Sequence, residues 1–473
     1  MTATETIPAA GAKAPAGHGL WRAELAETVR LALPMALTQL GQIAMMTTDL
    51  ILIGRLGDAA LAAAALAHTV LFAAFTLGMG IVSAVAPLAA QAYGARSPRM
   101  VRRALRVGLW AALMLGVPMT LLQFRGADIL VALGQEPQAA ALAGRYLAGM
   151  SWAIIPGWIF IAVRNFMGAV NRPAPALWIT LAAIPANGLI AYGLIYGAFG
   201  LPALDLLGAG LATALVNTAM SAAALWIATT RHPFKKYGVL GNLLRPDWPL
   251  LGKLVMIGLP ISGALLLEYG LFAAAALLMG RISTSAVAAH QIALQTAAIL
   301  YMVPFGIALA ATVRVGQAVG RRDPAGTRRA GLIAIMLATA FMATMTLVVG
   351  VSRHAIPLAF LGEGAVQSGE TVALAAMLLV LGASFFVTDG IQTAAAGALR
   401  GLNDTRVPMA VAALSFWGVG FVSCVWLAFP AGLGAIGVWI GLSLGTGVFA
   451  ALLVWRFHSL TARGYLPAVP APA

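Results

Sequence analysis

Apolar positions along this chain come in long unbroken blocks. Twelve runs of helix length stand out, at roughly residues 28–54, 60–93, 103–124, 139–165, 174–199, 208–230, 251–281, 286–319, 330–350, 369–400, 408–429 and 433–457, rich in Ala, Leu, Gly and Met. About 20 such residues cross a bilayer as a helix, whereas a membrane barrel would show shorter segments of strict alternation. The pattern predicts an all-α integral membrane protein with twelve transmembrane helices. Several runs exceed one bilayer thickness, so tilt or projection into water is expected. Residues 1–27, made of Ala, Pro and Gly with scattered charge, cannot bury a core and lack the pattern of a signal peptide, so a flexible cytoplasmic tail is expected there. A second tail is expected over 461–473.

Composition narrows the class further. The 473 residues are 61% hydrophobic and 9% charged, against about 45–50% and about 25% in soluble domains. The net charge of +14 gains meaning from its location. Arg96, Arg99, Arg102, Arg103 and Arg106 follow the second run; Arg172 follows the fourth; Arg231, Lys235, Lys236, Arg245 and Lys253 follow the sixth; Arg321, Arg322, Arg328 and Arg329 follow the eighth; Arg406 follows the tenth. The other loops are near neutral and carry Asp58, Asp128, Glu136, Asp205 and Glu363. By the positive-inside rule both termini and the even-numbered loops are expected in the cytoplasm. That placement leaves no folded basic domain for nucleic acid. The lone Cys424 excludes an internal disulfide, and no paired metal ligands or redox motif occur.

The chain also repeats itself. Leu33-Pro34 matches Leu259-Pro260, Gly54-Arg55 matches Gly280-Arg281, and Gln91-Ala-x-Gly-x-Arg-x-Pro98 matches Gln317-Ala-x-Gly-x-Arg-x-Pro324, all at a shift of 226 residues. Later in each half Gly168 and Pro175 answer Gly401 and Pro408 at a shift of 233. Each half holds six runs, so both enter the membrane from the same side. This predicts two parallel six-helix repeats, an N-terminal lobe over 28–231 and a C-terminal lobe over 251–460, joined by a basic, Pro-containing cytoplasmic linker at 232–250.

Three acids interrupt the apolar runs: Asp49, Glu268 and Asp389. A carboxylate at mid-membrane costs about 2.5–3.5 kcal/mol even on lenient insertion scales, so it marks a functional group facing a cavity or partner. By the repeat shifts, Glu268 answers Gln42, Asp49 answers Ala275 and Asp389 answers Pro156, so no acid recurs in the other half. Thr38, Gln42, Met45 and Asp49 share one helical stripe, as do Phe385, Asp389, Gln392 and Ala396, and Glu268, Phe272 and Ala275. Asn187, Thr213 and Asn217 are further polar residues within the runs, whose simpler role is to bridge helices. Gln42, Asn187, Thr213, Tyr269, Gln295, Phe385 and Gln392 are the candidate cavity-lining residues. His68 and His290 are titratable, and a hydrogen-bonded structural role suits each. Arg164, Arg314 and Arg400 fall near helix ends, where snorkelling toward water is expected.

These residues together resemble the multidrug and toxic compound extrusion (MATE) family, in its NorM-like branch. The resemblance runs from about residue 28 to 460 and is carried by Thr48-Asp49, Gly54-Arg55-Leu56-Gly57, Leu267-Glu268-Tyr-Gly-Leu-Phe272, Ala288-Ala-His-Gln-Ile-Ala293, Arg314-Val-Gly-Gln-Ala-Val-Gly320 and Asp389-x-x-Gln-x-x-x-Ala-Gly-Ala-Leu-Arg-Gly401. It implies two six-helix lobes set in a V around a central cavity. It also implies export of amphipathic, often cationic compounds in exchange for sodium ions or protons across the bacterial cytoplasmic membrane, by a monomer that needs no cofactor. The coupling acids carry over onto Asp49, Glu268 and Asp389, and the N-lobe asparagine onto Asn187; a sodium site is implied at Glu268 and Asp389. One position departs. Members that bind a monovalent cation in the C-lobe carry a tyrosine one turn before the aspartate, and Phe385 stands here, with Tyr269, Thr388 and backbone carbonyls as substitutes. The coupling ion is left open. An exporter of a lipid-linked or metabolite substrate is the alternative, to be favoured by a strongly cationic cavity. A membrane enzyme would need a nucleophile with its base or a ligand cluster within the spans; a channel would need a filter motif. Neither is seen.

Overall fold

A computed structural model describes residues 17–241, 245–362 and 369–467. Among these the only regular structure is helical. The helices run in order as α1 (Gly17–Gly54), α2 (Asp58–Ser83), α3 (Val85–Gly94), α4 (Pro98–Phe124), α5 (Gly126–Ala132), α6 (Pro137–Ser151), α7 (Ile154–Ala169), α8 (Ala174–Tyr196), α9 (Asp205–Thr230), α10 (Trp248–Gly280), α11 (Thr284–Gly320), α12 (Pro324–Val351), α13 (Ala355–Leu361), α14 (Gly369–Gly401), α15 (Arg406–Ala412), α16 (Val422–Ala428) and α17 (Gly434–Ala462). Among the described residues eleven helical segments are long and apolar enough to span a bilayer, with α2 and α3 forming one of them; α6 and α7, bent by 45°, make the twelfth when taken as one span. The short helices α5 and α13 lie in connections and were not expected from the apolar pattern.

Helix ends follow local chemistry. Asp247, Ser283 and Asp323 cap α10, α11 and α12 by accepting the backbone N–H of Leu250, Ala286 and Gly326. Pro98 and Pro324 open α4 and α12, where a missing N–H costs nothing. The preceding turns each use a left-handed residue, Arg96 at φ 54° and Arg322 at φ 57°, at the 226 shift. Asn171 and Asn403 do the same later in each half, at φ 62° and 58°. Asparagine tolerates this conformation better than most residues. Their spacing sets the later shift at 232, so Asp389 answers Gly157 and not Pro156.

The repeat governs how the halves meet. Gly306 of α11 lies against the Ala36 backbone of α1, and Gly80 of α2 lies against Ser262 of α10; both glycines and both partners are related by the 226 shift. Gly94 presses on the Gln317 carbonyl, and Gly320 presses on the Gln91 carbonyl, again as equivalents. A Cβ at any of these four glycines has no room. The amides complete the pattern: Gln91 donates to the Gly401 carbonyl at 2.9 Å and Gln317 to the Ala169 carbonyl at 2.9 Å. Asn403 donates to Gln91 Oε1, and Gln317 donates to Asn171 Oδ1, each at 2.9 Å. Two parallel repeats therefore meet across a pseudo-twofold axis.

One expectation for the chain ends changes. Helix α1 begins at Gly17, inside the stretch expected to be a flexible tail, because Glu24 finds a buried cationic partner, Arg314, on α11; composition alone cannot show such a partner. Residues 1–16 of that tail, Glu363 and residues 468–473 lie outside the described residues. The first part of the linker is folded onto the N-terminal half: Phe234 and Tyr237 are buried against Phe166, at ring separations of 6.0 and 5.6 Å. Asp247, the residue before α10, pairs with Arg103 of α4 at 2.6 Å.

Candidate functional site

Polar groups inside the spans gather in two places. In the N-terminal half, Asp49 of α1 is only 7% exposed. Its Oδ1 accepts from Asn187 Nδ2 of α8 at 2.6 Å, and its Oδ2 accepts from Thr213 Oγ1 of α9 at 3.0 Å. Three helices thus converge on one carboxylate. Asn187 is fully buried, so it holds the acid rather than facing open space. Asp49 and Thr213 line a cavity of about 340 Å³, together with polar Gln42 and His68 and apolar residues such as Met45 and Phe72. The His68 ring sits 5.8 Å from that of Tyr146, which also lines the cavity.

The break between α6 and α7 lies on the wall of this cavity. Met150, Ala153 and Ile154, which flank that bend, are all on its wall. Gly157, the equivalent of Asp389, is on the wall too.

In the C-terminal half, Glu268 of α10 and Asp389 of α14 share one amide. Gln392 Nε2 donates to Glu268 Oε1 and to Asp389 Oδ1, each at 2.7 Å. The α-helical turn places Gln392 three residues past Asp389, on the same face. Gln392 Oε1 is buried without a hydrogen-bond partner. A spare oxygen beside two carboxylates is the donor chemistry that suits a hard cation. Beneath the acids a pocket of about 40 Å³, lined by Glu268, Tyr301, Gln392, Thr393, Arg400 and Asp404, runs toward the end of the bundle that bears Ala462. On the opposite side the acids are covered by aromatic rings: Phe272 meets Phe385 edge-on at 5.9 Å, and Phe385 meets Trp439 at 5.7 Å. Among the described residues no group of three His, Cys, Asp or Glu side chains is arranged to hold a metal ion.

Several sequence candidates sit elsewhere. Gln295 is exposed and lines neither space. Phe385 is buried in the aromatic cluster and lines neither space. Tyr269 stacks on Phe72 of the other half at 4.2 Å. Thr388 bonds Thr446 and backbone carbonyls of its own helix, so neither stands in for the missing tyrosine at the acids. His290 is fully buried beside Trp439, and both of its ring nitrogens lack a hydrogen-bond partner, contrary to the hydrogen-bonded role expected. Arg314 does not snorkel but pairs with Glu24, and Arg164 turns inward onto the N-terminal cavity. Tyr301, Tyr146 and Gln39 were missed. Gln39 alone left a signal, one turn before Gln42 and Ile43 on α1.

Comparison with known proteins places this arrangement. A family model described as MatE matches residues 34–192 and 260–426. A probable multidrug resistance protein NorM of Rhodopseudomonas palustris is 62% identical over 471 residues, covering 100% of this chain and 99% of that one. A multidrug resistance protein NorM of Burkholderia vietnamiensis is 38% identical, covering 92% and 94%. Among solved structures, a eukaryotic MATE transporter, AtDTX14, superposes with a TM-score of 0.84 at 21% identity, covering 94% of this chain and 99% of that one. An outward-facing multidrug resistance transporter of the same family gives 0.84 at 20% identity, covering 96% and 99%. The fold is the two-lobed V of those transporters, and the chain belongs to the MatE family of multidrug and toxic compound extrusion transporters.

Proposed function

We propose that this protein is a secondary active exporter that moves amphipathic, often cationic compounds out of a bacterial cell, driven by sodium ions or protons moving inward. The observation that carries this reading is Asp49, held by Asn187 and Thr213 on the wall of an apolar cavity. A carboxylate in such a wall recognises a cation and releases it when a competing positive species arrives. Glu268 and Asp389, bridged by one amide, form a second place for a single positive species, since two carboxylates that close repel each other. Ion binding would favour one arrangement of the lobes and drug binding the other. The protein would act as a monomer in the cytoplasmic membrane, with both termini and the basic loops inside.

The alternative, export of a lipid-linked or metabolite substrate, gains no support, since the cavity is not strongly cationic: among the described residues its mostly apolar walls carry one arginine, Arg164, against the carboxylate of Asp49. The test is transport of a fluorescent cation by purified protein in liposomes under imposed sodium or proton gradients. Uptake driven by either gradient supports antiport. Uptake indifferent to both would refute it.

A further inference from the structure

Helix α7 carries a guanidinium to the wall of the N-terminal cavity, where the expected drug is a cation. Arg164 is 8% exposed. Its Nη1 donates to Gln39 Oε1 at 2.6 Å and to Gln42 Oε1 at 3.4 Å, and its buried Nε has no partner. Among the described residues it has no carboxylate partner, whereas Arg314 is fully paired with Glu24. A buried charge satisfied only by neutral amides keeps most of its desolvation cost, and arginine's planar fork retains unused N–H donors. Such a group is poised for an anion that is absent from the chain itself.

The rest of the cavity says what kind of anion. Arg164 and Asp49 line the same space. Gln42, which touches Arg164, and Asp49 are seven residues apart on α1, which is about 10 Å along a helix. Phe72, Phe75 and Phe160 line the space with them. The cavity therefore has a negative end, a positive end and an apolar body. The other lobe lacks this polarity: by the repeat shifts, Gln42 and Arg164 answer Glu268 and Ala396, so the same place there is acidic.

We propose that Arg164 is the anion-binding end of the cavity, receiving the carboxylate of amphipathic zwitterions whose cationic end lies toward Asp49. Arg164 thereby becomes a specificity-determining residue of the cavity, favouring amphipathic cations that also carry a free carboxylate over their esters. The proposal rests on the cavity being the substrate chamber, so its test reads binding and not transport. A failure of gradient-driven export then remains separable from a failure of this site.

The probes are rhodamine 110 and its methyl ester rhodamine 123, which differ in whether the carboxylate is free. Equilibrium binding of each dye is measured on full-length protein in nanodiscs by fluorescence anisotropy. In Arg164→Gln the ratio of the two Kd values, acid over ester, is expected to rise about tenfold or more, the loss of one charge-assisted hydrogen bond. Gln39→Glu, nearly isosteric, gives Arg164 an internal carboxylate and is expected to move the ratio the same way even if Arg164→Gln folds poorly. An unchanged ratio in the folded variants would show that Arg164 merely ties α7 to α1, and would overturn the proposal. So would failure of the wild type to bind rhodamine 110.

Discussion

Glu24 and Arg314 form a two-toothed ion pair, with Nε to Oε1 at 2.7 Å and Nη2 to Oε2 at 2.8 Å, joining the first helix to α11 of the other half. Both side chains are about nine-tenths buried. Glu24→Gln leaves Arg314 buried without its charge partner, which costs on the order of 3 kcal/mol in comparable buried pairs. That cost falls on the arrangement in which the halves touch at this end. Spin labels on α1 and α11, introduced after replacing Cys424 with Ala, are expected to report a longer distance population in Glu24→Gln. The charge-swapped pair Glu24→Arg with Arg314→Glu is expected to restore the short one. Unchanged distances in the single variant would remove the latch role.

Asp247 offers a pH-dependent counterpart outside the spans. Burial raises its carboxyl, but the Arg103 hydrogen bond, the Leu250 N–H and the charges of Arg103 and Arg106 outweigh this and hold it below the usual aspartate value. A group whose folded value is depressed contributes stability above its unfolded value and loses it as pH falls. Thermal stability of the wild type is therefore expected to drop as pH falls below about 4, the ordinary aspartate range. Asp247→Ala is expected to lose about 1 kcal/mol at neutral pH, the size of a helix cap. It should also flatten that acid dependence, measured by thermal unfolding in detergent.

The four close glycines make a symmetric prediction. Gly94→Val and Gly320→Val each drive a side chain into a backbone carbonyl of the opposing half, an overpacking that costs about 1–3 kcal/mol or more. The two variants are expected to lower folded yield and transport to a similar degree. A large effect at one and none at the other would contradict the pseudo-twofold contact.

The acids are tested by neutral isosteres. Asp49→Asn, Glu268→Gln and Asp389→Asn are each expected to reduce gradient-driven efflux severalfold while leaving expression near wild type. If only Asp49→Asn abolishes export, and the other two leave both efflux and its sodium response unchanged, coupling resides in the N-terminal lobe alone.

Much of the architecture was legible because bilayer thickness forces long apolar runs, and because a constant 226 shift survives in turn and crossing residues such as Arg96 with Arg322. Span ends fell within about six residues of expectation, apart from the start of α1. The acids were visible as interruptions, and one helical stripe led from Asp49 to Gln42. What stayed hidden was pairing across distant segments. Glu24 looked like a tail residue until Arg314 met it, 290 positions away. Arg164 looked like a snorkelling side chain, since sequence gives its depth in a helix but not the face that turns toward Gln39. Tyr301 carried no signal in an apolar span; only folding sets it beside Glu268.

The break at Trp152 and Ala153 has a meaning for how duplicated membrane scaffolds diverge. The corresponding helix of the other half, α14, runs uninterrupted through Ser384, the equivalent of Trp152. The cavity walled in part by the broken helix holds about 340 Å³, and the pocket beneath Glu268 and Asp389, walled in part by α14, about 40 Å³. A local change of backbone direction, present in one copy of an inherited unit and not in the other, thus lies beside the larger of these two spaces. An engineer seeking a second chamber would begin by breaking α14 at Ser384, before altering any residue that meets a ligand.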